Sequence, residues 1–88
     1  MRRNSNDIVA DILRVAADGA KKTRIVYGAN LNFKIIKNYL PRLIEQGFID
    51  YDGSGRNGLY YTTPLGNEFL WRYDALQSVS EATLLAAR

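Results

Sequence analysis

The chain has 88 residues, of which 47% are hydrophobic and 24% charged, and its net charge is +3 with a pI of about 9.4. It contains no cysteine and no histidine, which excludes disulfides, thiolate nucleophiles and Cys/His zinc sites, and removes the commonest general base. No apolar run approaches the roughly 18 residues needed to span a bilayer, so we expect a cytoplasmic protein without membrane, metal or cofactor.

The positive charge is concentrated in the first half of the chain. Residues 1–45 carry nine basic and four acidic side chains, a net charge of +5, whereas residues 46–88 carry three and five, a net charge of −2. This asymmetry favours a surface that faces a polyanion in the first half. Charge alone does not distinguish that surface from an ordinary mixed one.

The first thirty residues predict two helices. The first begins near residues 4–6, where Asn and Ser are good N-caps, and ends at Gly19 as its C-cap. After a connection at residues 20–22, Thr23 is expected to cap a short second helix that ends near Ala29. Apolar residues expected to face the core are Ile8, Ile12, Val15, Ala16, Ile25 and Val26.

A longer third helix follows a tight turn. Asn30 suits the left-handed position of that turn, and Asn32 is expected to cap a helix over residues 33–46 that Gly47 stops. Pro41 lies inside this helix, but the apolar stripe continues in phase across it, which predicts one bent helix. The predicted stripe consists of Phe33, Ile36, Leu40, Leu43 and Ile44.

A β-hairpin is predicted next, because residues 48–52 and 59–63 are rich in aromatic and β-branched side chains. Between them lies the segment GSGRNG, residues 53–58, which has three glycines in six positions. The hairpin therefore has a glycine-rich tip that carries one basic residue, Arg56.

The last predicted helix covers residues 64–87, with Thr63 as N-cap, Pro64 at the first position and Gly66 as a weak point in its first turn. This helix is longer than is needed to cover the hairpin, and a single helix exposed to water is only marginally stable. We therefore expect it to pair with a second chain, the alternative being that residues 78–88 fray. The predicted dimer interface consists of Leu70, Tyr73, Leu76, Val79 and Leu84.

Together these elements predict a mainly α fold with a β-hairpin wing, a winged helix-turn-helix over residues 1–63, followed by a C-terminal dimerisation helix over residues 64–88. Such a module places one helix in the major groove of DNA. The predicted DNA-binding residues are Lys21, Lys22, Arg24, Asn32, Lys34, Lys37, Asn38, Arg42 and Arg56.

These residues differ in their expected roles. Asn32, Lys34 and Asn38, near the start of the third helix, suit base edges, and Lys37 suits a backbone phosphate. The basic cluster before and inside the second helix suits phosphates, and Arg56 suits the minor groove or a phosphate. The competing interpretations are a solvated polar face for the third helix, a solubilising patch for the basic cluster, and an Arg56 that only keeps the hairpin soluble.

Three segments carry the most specific patterns: KTRIVYGANLNF at residues 22–33, YLPRLIEQGFI at residues 39–49 and YYTTPLGNEFL at residues 60–70. They resemble the small basic winged-helix DNA-binding proteins of archaea, the Sulfolobus 10a type. The resemblance implies DNA binding, a homodimer formed by an antiparallel pair of C-terminal helices, and no catalytic activity. It implies DNA contacts by Asn32, Lys34, Lys37, Asn38 and Arg56.

The sequence thus predicts a double-stranded DNA-binding homodimer, nucleoid-associated, with a role in transcription regulation. Two alternatives remain open at this stage. A non-specific chromatin-type protein would share the fold and the charges, and a winged-helix protein-interaction module would use the fold without binding DNA. An enzyme is not expected, because the sequence shows neither His nor Cys nor an obvious carboxylate pair.

Overall fold

The computed structural model describes residues 3–53 and 58–86, so most of the predicted wing tip, Arg56 included, lies outside the described residues. The predicted fold class is confirmed: three helices precede a two-stranded antiparallel hairpin and one long helix. The elements are α1 (Ser5–Val15), α2 (Lys22–Gly28), α3 (Phe33–Glu45), β1 (Ile49–Asp52), β2 (Leu59–Thr62) and α4 (Pro64–Ala86).

The core lies between the first three helices and the base of the hairpin. Its largest fully buried side chains are Ile12, Leu13, Ile25, Ile36, Leu43 and Ile49. The predicted stripe of α3 is confirmed at its centre but wrong at its edges, because Phe33 is 48% and Ile44 39% exposed. The buried residues of α3 itself are Ile36, Leu40 and Leu43, a narrower stripe than predicted.

The helix starts are fixed by side-chain caps at three of four positions. Asn4 forms a reciprocal capping box with Asp7, and Asn32 Oδ1 accepts from the Ile35 amide at 2.8 Å. Thr63 Oγ1 accepts from the Gly66 amide at 3.1 Å, as predicted. The prediction for Thr23 is wrong: the N-cap of α2 is Lys21, whose side chain has no acceptor to offer.

The end of α1 also differs from the prediction. The helix stops at Val15 with Ala16 as C-cap, and Gly19 follows three residues later with φ +95°. The chain leaves the helix early because Ala20 pairs with Tyr60 as an isolated bridge, with N···O distances of 2.9 and 2.8 Å. The connection between α1 and α2 thus lies alongside the hairpin as a short third strand-like segment.

The hairpin is anchored at its base on α1. Its register pairs Ile49 with Thr62, and Thr62 donates its backbone amide to Ala16 O at 3.0 Å and its hydroxyl to Leu13 O at 2.7 Å. Since Thr62 is buried, both of its polar groups need such partners. The base of the wing is therefore fixed relative to α1.

Gly66 is a close-packing position rather than the weak point that the sequence suggested. A Cβ at this residue would lie 2.4 Å from Phe48 O and 2.7 Å from Thr62 Cγ2. Two hydrogen bonds from Thr63 hold the backbone of Gly66 this close to Phe48. The Thr63 amide donates to Phe48 O at 3.0 Å, and the Thr63 hydroxyl donates to Gly47 O at 2.6 Å. The first turn of α4 therefore lies directly against the start of β1.

Two polar contacts join α4 to α1 further along. Arg14 forms a bidentate ion pair with Asp74, with distances of 2.5 and 3.1 Å, and the Tyr73 hydroxyl donates to the Asp7 carboxylate. The Tyr73 hydroxyl, with the Asn4 amide, lowers the pKa of Asp7, and the Arg14 guanidinium lowers the pKa of Asp74. These contacts set the direction in which α4 leaves the domain.

The two aspartates predict a loss of stability in acid. Their pKa values in the folded chain lie below 3.8, so the unfolded chain binds more protons and unfolding becomes easier as the pH falls through the folded values. We expect the urea midpoint to fall between about pH 6 and about pH 3, and to fall less in Asp74→Asn. Asp50→Asn serves as control, because Asp50 is exposed and belongs to none of the described ion pairs. Its urea midpoint should fall as much as that of wild type.

Candidate nucleic-acid interface

The turn between α2 and α3 fixes the orientation of α3. Asn30 has φ +54°, the left-handed conformation predicted for it, and Leu31 donates its amide to Val26 O at 2.9 Å. Asn32 then caps α3. Because Val26 and Leu31 are both buried, this turn is held to the core on each side of Asn30.

Arg3 makes a second attachment to the same turn. Its guanidinium donates to the backbone oxygens of Ala29 at 2.8 Å and Asn30 at 2.7 Å, and pairs with Asp11 of α1 at 2.8 Å. Arg3 therefore ties α1 to the end of α2. Sequence reasoning missed this role, because 26 residues separate Arg3 from Ala29 and no local pattern links them.

The exposed cations of α2, α3 and the residue before α2 form what we term the cationic surface. No acidic residue occurs in residues 19–44, so nothing in this segment offsets their charge. All six side chains are exposed. The cationic surface consists of Lys21, Lys22, Arg24, Lys34, Lys37 and Arg42.

None of the ion pairs found within residues 3–53 and 58–86 involves a member of this surface. Of the nine basic residues within residues 3–53 and 58–86, three form ion pairs: Arg3 with Asp11, Arg14 with Asp74, and Arg72 with Glu68. The six that form none in this part of the chain are those of the cationic surface. Exposed, unpaired cations are free to neutralise the charges of a polyanion.

The outer face of α3 presents a row of polar side chains. Lys34, Asn38 and Arg42 follow one another at intervals of four residues, which places them on one side of the helix. The buried residues Ile36 and Leu40 face the other way. All three members of the row are exposed, so α3 has one face in the core and an opposite face with donors for an external partner.

Eight of the nine predicted DNA-binding residues lie in the described part of the chain and are exposed there. Two of the nine differ from the rest. Asn32 has a structural role as the cap of α3, which already engages its Oδ1. Arg56 falls among the residues that the structure leaves undescribed. Their contacts with DNA stay predictions.

The predicted dimer residues divide into two groups along α4. Leu70 packs against the core and Tyr73 is half-buried with its hydroxyl on Asp7, so both already have contacts within the chain. Leu76, Val79 and Leu84 are 64%, 61% and 70% exposed. An open groove of about 200 Å³ reaches the first of these three and is lined by Asn6, Phe69, Arg72, Tyr73 and Leu76.

The described residues contain neither a metal-binding cluster nor a membrane-spanning helix. No cluster of three acidic, histidine or cysteine side chains with the spacing of a metal site occurs in that portion of the chain. None of the helices there combines the length and the apolar character that crossing a membrane requires.

Comparison with known proteins adds three findings. A profile of the winged helix-turn-helix family matches residues 2–81. An uncharacterised protein of Methanocaldococcus jannaschii is 34% identical over 71 residues, which are 80% of this chain and 32% of that protein. The chain thus spans about a third of the length of this curated relative.

The fold also resembles solved structures. Sso10a-2, described as a DNA-binding protein from Sulfolobus solfataricus, superimposes with a TM-score of 0.86 at 25% identity, over 97% of this chain and 90% of that chain. MepR, a transcription regulator of a Staphylococcus aureus multidrug efflux pump, gives 0.78 at 17% identity, over 94% and 64%. The likeness to MepR concerns the fold alone, whereas the first match confirms the predicted resemblance to the Sulfolobus 10a type.

Proposed function

Because the chain belongs to the winged helix-turn-helix family, we propose that it binds double-stranded DNA as a homodimer and regulates transcription. In this proposal α3 enters the major groove, and the segment from Lys21 to Arg24 lies along the phosphate backbone. Residues 1–63 bind DNA, and residues 64–88 supply the dimerisation helix. The protein acts in the cytoplasm, at the nucleoid.

The observation that carries the proposal is the cationic surface. Five of its six exposed cations occupy the two helices that a helix-turn-helix presents to DNA, and the sixth, Lys21, directly precedes the first of them. These six alone among the described basic residues form no ion pair there. A solvated polar face of an ordinary domain carries both acidic and basic side chains. In residues 19–44, by contrast, every charged side chain is basic. Sso10a-2, with the same fold, is described as DNA-binding.

The homodimer is supported by the part of α4 beyond the domain. This helix has 23 residues and is about 34 Å long. From Leu76 onward its large apolar side chains are exposed, and the groove beside Leu76 is open. A second copy of α4 is the partner of matching character that the chain itself provides.

Single charge removals on α3 test DNA binding. We expect Lys34→Gln and Lys37→Gln each to weaken binding of the homodimer to a random-sequence duplex about sixtyfold at roughly 0.1 M salt, because the two protomers together lose two cations that face the phosphates. The slope of log K against log salt should shrink by about 1.8 for each variant, because each substitution occurs twice in the dimer. Fluorescence anisotropy over a salt series measures both quantities.

Asn67→Asp is the matched control, because it changes the net charge by the same amount at an exposed position of α4 that belongs neither to the cationic surface nor to the groove beside Leu76. Equal weakening in the control would mean that only net charge matters and would contradict a defined interface. If wild type binds no duplex even at low salt, the proposal is wrong and a protein-interaction module takes its place.

Selection from a random duplex pool then separates a regulator from a chromatin-type protein. Enrichment of a two-fold-symmetric motif supports a specific dimeric regulator, because operator symmetry mirrors protein symmetry. Retention without enrichment identifies non-specific binding, and the regulatory part of the proposal is then wrong while DNA binding stands.

A further inference from the structure

Phe33 is an exposed aromatic ring at the first position of α3. It is 48% exposed and belongs neither to the buried core cluster nor to the partly buried residues packed against that cluster. Its backbone is nevertheless held firmly, since the preceding residue Asn32 caps the helix. The fold therefore leaves about half of the surface of this large apolar side chain uncovered.

The surroundings of Phe33 are cationic. Lys34 follows it directly, and Lys37 lies four residues on, one turn along the same side of the helix. No acidic residue occurs between residues 19 and 44. A partner for this patch must combine negative charge with an apolar group close by.

The major groove of double-stranded DNA offers that combination. Phosphates flank it, and the C5-methyl of thymine is the one apolar group on its base edges. A phenyl ring has no hydrogen-bonding group, so it can discriminate between bases only through that methyl. The N-terminal residues of a recognition helix are the ones that reach base edges, and Phe33 is the first residue of α3.

Resting on the proposed function, we infer that Phe33 is a specificity-determining residue that contacts the C5-methyl of thymine. Lys37 would supply affinity through a phosphate, whereas Phe33 would favour thymine at one position of each half-site. This role deepens the DNA-binding proposal, and it assigns a function to a residue that the sequence pattern had placed in the core.

The test removes the methyl group and the ring independently. An A·T-rich duplex is compared with the same duplex in which every thymine is replaced by uracil, for wild type and for Phe33→Ala. Burial of one methyl corresponds to about a fourfold change in affinity, and two copies in a dimer to about fifteenfold. We expect the wild-type dimer to bind the thymine duplex about fifteenfold more tightly than the uracil duplex. Phe33→Ala should bind both duplexes equally.

Ile44→Ala is the matched control, because it removes a partly exposed apolar side chain from the last turn of the same helix. It should keep the wild-type preference for thymine. Equal binding of both duplexes by wild type, or an unchanged preference in Phe33→Ala, would overturn the inference and leave DNA binding intact. Failure of wild type to bind either duplex would overturn both proposals.

Discussion

Replacing Gly66 by Ala is expected to lower the free energy of unfolding by about 2 kcal/mol, roughly a thirtyfold change in the unfolding equilibrium. The added Cβ would meet Phe48 O at 2.4 Å and Thr62 Cγ2 at 2.7 Å. Since the first of these atoms belongs to the backbone, relief requires a shift of α4 away from β1. That shift strains the hydrogen bonds by which Thr63 holds the two elements together.

The sign of this effect is informative, because helix propensity alone predicts the reverse. Gly→Ala inside a helix stabilises it by about 1 kcal/mol when space is available. Asn67→Ala, at the exposed next position of α4, provides the control and should leave stability unchanged or slightly higher. Urea denaturation followed by circular dichroism measures both variants, and a higher midpoint for Gly66→Ala would contradict the close packing.

Local chemistry made most elements predictable. Asn4, Asn32 and Thr63 cap helices as their side chains suggest, and Asn30 and Gly47 adopt positive φ where turns were expected. These features depend on residues within a few positions of one another. The chain also continues as one helix across Pro41, as the phase of the apolar stripe indicated.

Long-range contacts explain where prediction failed. The early end of α1 follows from the pairing of Ala20 with Tyr60, forty residues away. Gly66 was expected to be a weak point in the first turn of α4, because its close contact is with Phe48, a residue just before β1 that is distant in the sequence. Periodicity likewise assigned Phe33 to the core, although Phe33 is exposed. Helical periodicity indicates which side of a helix faces the core, but it does not indicate how wide the stripe is that neighbouring elements cover.

The sequence predicts which basic residues the candidate site contains, but it does not predict which basic residues form ion pairs. The absence of acidic residues from residues 19–44 is visible in the sequence, whereas the ion pairs of Arg3, Arg14 and Arg72 depend on the tertiary structure. Only the fold separates the cations that stabilise the domain from those available to a partner. The membership of the cationic surface therefore follows from the tertiary structure and not from the sequence alone.

The double variant Leu76→Asp with Leu84→Asp is expected to convert the proposed dimer into a monomer of 10.0 kDa. Both leucines are more than three-fifths exposed in the single chain, so the domain itself should remain folded. In a two-fold interface each substitution occurs twice, and at about 1.5 kcal/mol per lost leucine the dissociation constant rises roughly ten-thousandfold. Sedimentation equilibrium gives the mass, and circular dichroism checks the fold.

Ser78→Asp is the control, because it adds a charge to the same helix at a position rotated about 200° from Leu76 and about 120° from Leu84. It should remain dimeric. A monomeric wild type would contradict the homodimer, and a dimeric double variant would place the interface elsewhere. Where the double variant is monomeric but folded, its loss of binding to a symmetric duplex measures what the second cationic surface contributes, because linked sites bind far more tightly than separate ones.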